Sequence, residues 1–316
     1  MSDLTAERRR KGAAPTSPPA RRTRFSGRTR RDFFVFLAFA LPNLALIAVF
    51  TYRPLFANLQ YSFLDWTLGS PRARNIGFDN YATFFGSDDA ARVLGTTAVF
   101  TVLTVGLSMV LGLLVALALN ARVRGTTFAR SAVFAPYVLS GVGVGLVWMF
   151  IFDPGYGALS WILRSFGARS PEWFNDPQLA LTMVILVYVW KNLGYCAVVY
   201  LAGLQSLPSD IMEAAAIDGA GSARRFWSIS LPLLSPTTFF LLITTILSSL
   251  QAFDLIRIMT PLGTGTSTLI YEAYLQAFGS YNRAGYSAAI SVVLFVILLV
   301  VTVVQLRFVE RKVHYA

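Results

Sequence analysis

The chain has 316 residues, of which 55% are hydrophobic and 14% charged, and its mean hydropathy is +0.58. Soluble domains hold about 45–50% apolar residues, so the composition points to the membrane class. A single Cys (Cys196) and a single His (His314) exclude a disulfide framework and a His/Cys metal site, and the net charge of +11 raises nucleic acid as a partner only if it is spread over a soluble surface.

Residues 1–32 form a polar, basic segment with nine Arg and one Lys among Pro, Ser and Thr. That composition predicts a disordered tail. It resembles the charged start of a signal peptide, but the apolar run after it is long and no A-x-A site closes it, which predicts an uncleaved first span.

About 20 apolar residues cross roughly 30 Å of hydrocarbon. Six such runs follow, at 33–53, 95–119, 131–152, 179–203, 234–256 and 284–306. All contain Gly, Ser, Thr or Pro, as packed bundle helices do. The predicted fold is therefore an all-α membrane protein of six transmembrane helices, its six-span domain covering 33–306 and a short tail covering 307–316. Loop 54–94 holds "GFDNYATFF", a short helix with Asp79 as the expected cap. Loop 153–178 holds "GALSWILRSFG", an amphipathic piece expected at the membrane surface. Loop 257–283 has a Gly/Thr run, yet no G-x-x-x-x-G-K-[ST] occurs anywhere, so no ATP site is encoded.

Lys and Arg mark the cytoplasmic side. With the N-terminus inside, the inside segments carry 18 basic and seven acidic residues, which accounts for the whole net charge of +11. The basic balance is then a topology signal in a lipid bilayer and gives no reason to expect nucleic acid. Both termini are expected in the cytoplasm.

The loop 204–232, inside by this count, is soluble in character. Asp210 with Glu213 reads as a capping box opening a helix over "IMEAAAI". Gly219 and Gly221 suit its end, where a left-handed backbone is needed. Ser222 is the expected cap of a second short helix ended by Pro232.

Glu213, Ala214, Ala215, Asp218, Gly219, Ala220, Ile229 and Pro232 resemble the signature of ABC importer permeases: E-A-A-x-x-x-G, then nine residues, then I-x-L-P. Beyond the tail, "FAPYVLSGVGVGLVWMFIFDPGYG", "YVWKNLGYCAVVYLAGLQSLP" and "VVQLRFVERKVHYA" resemble the carbohydrate-uptake type 1 group. Within it, "AAAIDGAGSARRF", "TLIYEAY" and the C-terminus are most similar to the A-type permease for glycerol-3-phosphate and glycerophosphodiesters. The resemblance implies the type I importer permease fold and a bacterial inner-membrane location. It also implies a heterodimer with a second permease, two cytoplasmic ATPases that hold the ATP and magnesium, and an external binding protein. By the same resemblance the loop docks on the ATPase, with Glu213 and Gly219 most sensitive to change.

Polar groups within spans are expensive and so are candidates for the substrate path. These are Tyr137 in span three; Trp190, Lys191, Asn192 and Tyr195 in span four; and Ser248, Ser249 and Asp254 in span five. The resemblance implies that Tyr137 and Trp190 line a sugar cavity. Asn192 replaces a small residue of the maltose-type pattern, and Ser249 and Ala252 stand where that pattern has Asn, which argues against maltose. The Lys191 ammonium has three outlets: the membrane surface, Asp254, or an anionic substrate. A phosphate ester suits the third, and a neutral di- or oligosaccharide is the alternative cargo. A membrane-embedded enzyme would need paired acids, a His cluster or a thiol at depth. A passive channel would not need a docking loop.

Overall fold

The computed structural model describes residues 27–120, 126–279 and 281–309. Most of the basic tail, Arg122, Arg124 and residues 310–316 lie outside the described residues. The described residues fall into two compact units, divided after Leu55. The first contributes α1 (Gly27–Ile47), which contains Pro42, and a π-helical turn (Ala48–Tyr52).

α2 (Arg53–Tyr61), whose first three residues precede the division, leads to a two-residue hairpin, β1 (Leu64–Asp65) antiparallel to β2 (Arg74–Asn75). Short α3 (Asp79–Phe85) follows, then α4 (Asp88–Leu119). After these come α5 (Thr126–Val138), α6 (Gly141–Phe152), α7 (Ala158–Ser165) and α8 (Pro177–Gln205). The loop helices are α9 (Ser209–Ile217), α10 (Ser222–Arg225) and α11 (Leu231–Leu233). The chain closes with α12 (Ser235–Leu250), α13 (Asp254–Met259), α14 (Leu269–Phe278) and α15 (Ala284–Val304). Five helical runs among the described residues are long and apolar enough to cross a membrane, and a sixth is a bent pair.

That pair corrects the continuous third span expected over 131–152. α5 and α6 meet at 97°, joined by Leu139 and Ser140. Pro136 removes a donor near the end of α5 and weakens its last turn. The fifth run is also interrupted: α12 stops at Leu250, and Asp254 opens α13 instead of lying within a continuous helix.

Three expected caps are not made. Asp79 and Asp210 lie in the first turns of α3 and α9, with Phe78 and Pro208 at the cap positions. Their charge still favours the positive helix end. Ser222 begins α10 behind Gly221 without capping it. Pro232 does not end the second helix, because a π-helical turn (Phe226–Ser230) carries the chain into α11 with Pro232 in its first turn. A first-turn Pro costs no helical hydrogen bond. Gly221 is not left-handed, with φ of −63°.

The frame is the α4–α8 pair, which meets at small residues. A methyl group on Gly112 would stand 2.5 Å from Cys196 Cβ. One turn further from the α4 N-terminus, Ala116 is fully buried with Cys196, Tyr200 and Leu241. Without a hydrophobic drive between helices in lipid, such close approach gains dispersion contact. α12 joins α4 through Ser249 and Thr104, and α15 joins α14 through Ser287 Oγ, which donates to the Ala273 carbonyl at 2.6 Å.

The Gly/Thr run of 260–268 is an ordered turn. Thr260 and Thr266 hydroxyls bond at 2.6 Å, Leu269 N donates to Thr97 Oγ1, and Tyr271 OH donates to the Pro261 carbonyl at 2.7 Å. Burial pushes the Tyr271 phenol pKa up, so it stays a donor. On α7, Trp161 is exposed while Arg164 ties back to the Pro154 and Gly155 carbonyls.

Candidate functional site

Two regions hold the candidate residues. The first is the α9–α11 loop. α9 ends in a Schellman motif: Gly219 N donates to the Ala216 carbonyl at 3.1 Å and Ala220 N to the Ala215 carbonyl at 3.0 Å. Gly219 supplies the left-handed residue this needs, with φ of +79°. The chain then turns back, and Ser230 Oγ lies 3.8 Å from Met212 Sδ, seating the second segment on the first.

Glu213, Ala214, Asp218 and Gly219 are exposed, whereas Ala215, Ala220, Ile229 and Pro232 are half-buried. Among them stand two large exposed apolar side chains, Ile217 (87%) and Trp227 (66%). Glu213 and Ile217 are four apart on α9, hence on one face. An exposed surface that carries both charge and large apolar side chains can be covered by another body.

The second region is a pair of adjoining cavities inside the helices, sharing Tyr188 and Asn192. The first holds about 170 Å³. α4 gives it Thr104 and Ser108, α5 gives Tyr137, α8 gives Tyr188, Asn192 and Tyr195, and α12 gives Thr244, Thr245 and Ser248. Tyr137 and Tyr195 stack at 4.9 Å and 19°. Tyr195 OH donates to Thr244 Oγ1 at 3.3 Å. Ser108 Oγ is buried without a partner, a group a hydroxylated or anionic molecule can satisfy.

The second cavity holds about 280 Å³ and is more polar, with Lys191, Gln251 and Asp254 on its wall and Gly141 at one side. Lys191 Nζ donates to the Tyr137 carbonyl at 2.8 Å and lies 5.3 Å from that ring's centre. It makes no ion pair within 4 Å with Asp254; the ion pairs among the described residues are Arg74–Asp65 and Arg92–Asp89. Asn192 Nδ2 donates to the Tyr188 carbonyl of its own helix.

Six of the eight expected path residues therefore line these cavities: Tyr137, Lys191, Asn192, Tyr195, Ser248 and Asp254. Two do not. Trp190 lies edge-on to Trp148 at 5.3 Å, away from both. Ser249 is spent on its bond to Thr104. Sequence reasoning missed Thr104, Ser108, Tyr188, Thr244 and Thr245. The signal was present in Thr104 and Ser108, hydroxyls four apart on one face of α4.

Residues 108–315 match the family model described as "Binding-protein-dependent transport system inner membrane component". The chain is 37% identical over 277 residues to the sn-glycerol-3-phosphate transport system permease protein UgpA of Agrobacterium fabrum, covering 87% of this chain and 94% of that one. The protein of the same name from Rhizobium meliloti is 36% identical with the same coverage, and that from Yersinia pestis 35% over 278 residues, again 87% and 94%. Among solved structures, a bacterial ABC transporter involved in import of the acidic polysaccharide alginate superposes with a TM-score of 0.80 at 23% identity, over 90% of this chain and 97% of that one. A bacterial alginate ABC transporter in complex with an alginate pentasaccharide-bound periplasmic protein gives 0.76 at 24%, with the same coverage. The fold is thus that of ABC importer permeases, and the chain belongs to the family of inner membrane components of binding-protein-dependent transport systems.

Proposed function

We propose that this chain forms half of the translocation pathway of an importer for sn-glycerol-3-phosphate or glycerophosphodiesters. The observation that carries the reading is its 35–37% identity, over 87% of its length, to permeases named for sn-glycerol-3-phosphate. The Lys191 ammonium on a cavity wall supports it, since a cation there compensates a phosphate. The chain is a transport subunit and not an enzyme.

In this reading a second permease supplies the other half of the pathway. Two ATPases, holding ATP and magnesium, dock on α9–α11 through Glu213, Ile217 and Trp227. An external binding protein delivers substrate, and both termini lie in the cytoplasm. ATP closure draws the loops together and turns the cavity outward, each ligand shifting the balance by its different affinity for the two states. A neutral di- or oligosaccharide is the second reading, favoured by the uncharged, hydroxyl-lined first cavity.

The test is reconstitution with the co-encoded permease, ATPase and binding protein. ATP-dependent uptake of labelled sn-glycerol-3-phosphate, with a disaccharide excluded, is expected. Disaccharide uptake without phosphate-ester uptake overturns the substrate.

A further inference from the structure

The two halves of the broken third span have different main partners, although α6 also meets α8 where Trp148 lies edge-on to Trp190. α5 lies on α8, where a methyl group on Gly194 would collide with the Val133 carbonyl oxygen. α6 lies on α13, where a methyl group on Gly145 would stand 2.9 Å from Ile258 Cγ2, and one on Gly141 3.0 Å from Asp254 Cβ. Only Leu139 and Ser140, both exposed, connect the halves. A shift of α5 with α8 relative to α6 and α13 would turn the chain at these two residues.

The Tyr137 carbonyl is among the last four of α5, which have no donor within the helix. Lys191 Nζ, from α8, supplies one at 2.8 Å. The same ammonium faces the 280 Å³ cavity shared with Gln251 and Asp254. One donor thus serves both the end of α5 and the cavity.

We propose that Lys191 is a positioning residue, a latch that holds the end of α5 on α8 and is drawn off the Tyr137 carbonyl when an anion enters the cavity. An anion in the cavity adds a charge–charge attraction to the ammonium that the neutral Tyr137 carbonyl does not supply. Its departure leaves the last turn of α5 short of a partner, next to the two-residue joint. Entry of substrate then loosens the contact that sets the angle of the broken span. Release by a phosphate ester rests on the function proposed above; the latch without ligand does not.

The test uses the full transporter, reconstituted with its partner subunits, carrying Cys196→Ala and Ser140→Cys. The rate of maleimide labelling at position 140 reports the joint. Lys191→Met is expected to label several-fold faster without ligand, and Lys191→Arg, which keeps a donor, to label as slowly as the parent. Added sn-glycerol-3-phosphate with binding protein should accelerate the parent and leave Lys191→Met unchanged.

Equal ligand-free labelling of Lys191→Met and parent overturns the latch, as does a Lys191→Met variant changed only in KM. Uptake of sn-glycerol-3-phosphate with no labelling response in the parent overturns release by substrate. Faster labelling of Lys191→Met together with no phosphate-ester uptake by the parent upholds the latch and removes the substrate assignment instead. If Lys191→Met fails to assemble, Lys191→Gln, whose shorter neutral amide replaces the ammonium, is expected to label faster without ligand than Lys191→Arg, and equal rates for the two overturn the latch.

Discussion

Thr104 on α4 and Ser249 on α12 share a buried 2.8 Å hydrogen bond. Thr104 Oγ1 also lies 2.7 Å from the Phe100 carbonyl, to which it donates its one proton, so Ser249 is the donor between helices. Interhelical bonds in membranes average about 0.6 kcal/mol. Ser249→Ala is therefore expected to lower the stability of the purified complex by roughly that amount and to leave the KM for uptake unchanged. Thermal unfolding and uptake kinetics on the same preparation check both halves. A raised KM at unchanged stability would return Ser249 to the substrate path.

Gly219 and Glu213 separate backbone from surface within one short loop. Any side chain at Gly219 must adopt φ of +79° in the Schellman turn, costing about 1–2 kcal/mol. Gly219→Val is expected to lower ATPase binding because α9 loses its stop. Glu213→Lys keeps the turn and changes only an exposed charge. It is expected to weaken ATPase co-purification with no change in unfolding temperature. Co-purification of Glu213→Lys at the parental level would remove that carboxylate from the docking surface.

Much of this was legible because its cause is local. The apolar runs exceed the thickness of a bilayer, and Gly219 ends α9 by a backbone conformation that few other residues adopt. The break at Leu139–Ser140 was not legible from hydropathy, which is the same for a straight span and a bent one. Its cause is tertiary: Gly194 draws α5 to α8 while Gly141 and Gly145 draw α6 to α13. The capping positions failed for a smaller reason, since α3 begins one residue and α9 two residues before the expected start. Trp190 and Ser249 were placed in the path on residue type and depth, and which side of a helix faces a cavity is fixed only by the helices around it.

Gly112 tests the frame. Its hydrogen points at Cys196, and a methyl group would meet Cβ at 2.5 Å and the Ala197 nitrogen at 3.0 Å. Gly112→Ala is expected to destabilise by about 1–3 kcal/mol, the usual cost of overpacking. Adding Cys196→Gly removes the opposing Cβ and should restore part of the loss. Unfolding temperatures of the single and double variants decide it. No recovery in the double variant would mean that the α4 and α8 backbones do not meet at this point.

Tyr195 and Trp190 sit five residues apart on α8 and face different surroundings. Tyr195 stacks on Tyr137, lines the smaller cavity and bonds Thr244 Oγ1. Trp190 meets Trp148 edge-on. Tyr195→Phe keeps the stacked ring and deletes only the hydroxyl. If substrate uses that hydroxyl, loss of one hydrogen bond worth about 1 kcal/mol raises the KM for uptake roughly fivefold. Trp190→Phe keeps an aromatic edge contact and is expected to leave the KM unchanged, with a small loss of stability from the smaller ring. Both are read as initial uptake rates against external substrate at saturating binding protein. A KM raised by Trp190→Phe and unaffected by Tyr195→Phe would put the path on the Trp148 side of α8 and leave the two cavities as packing defects.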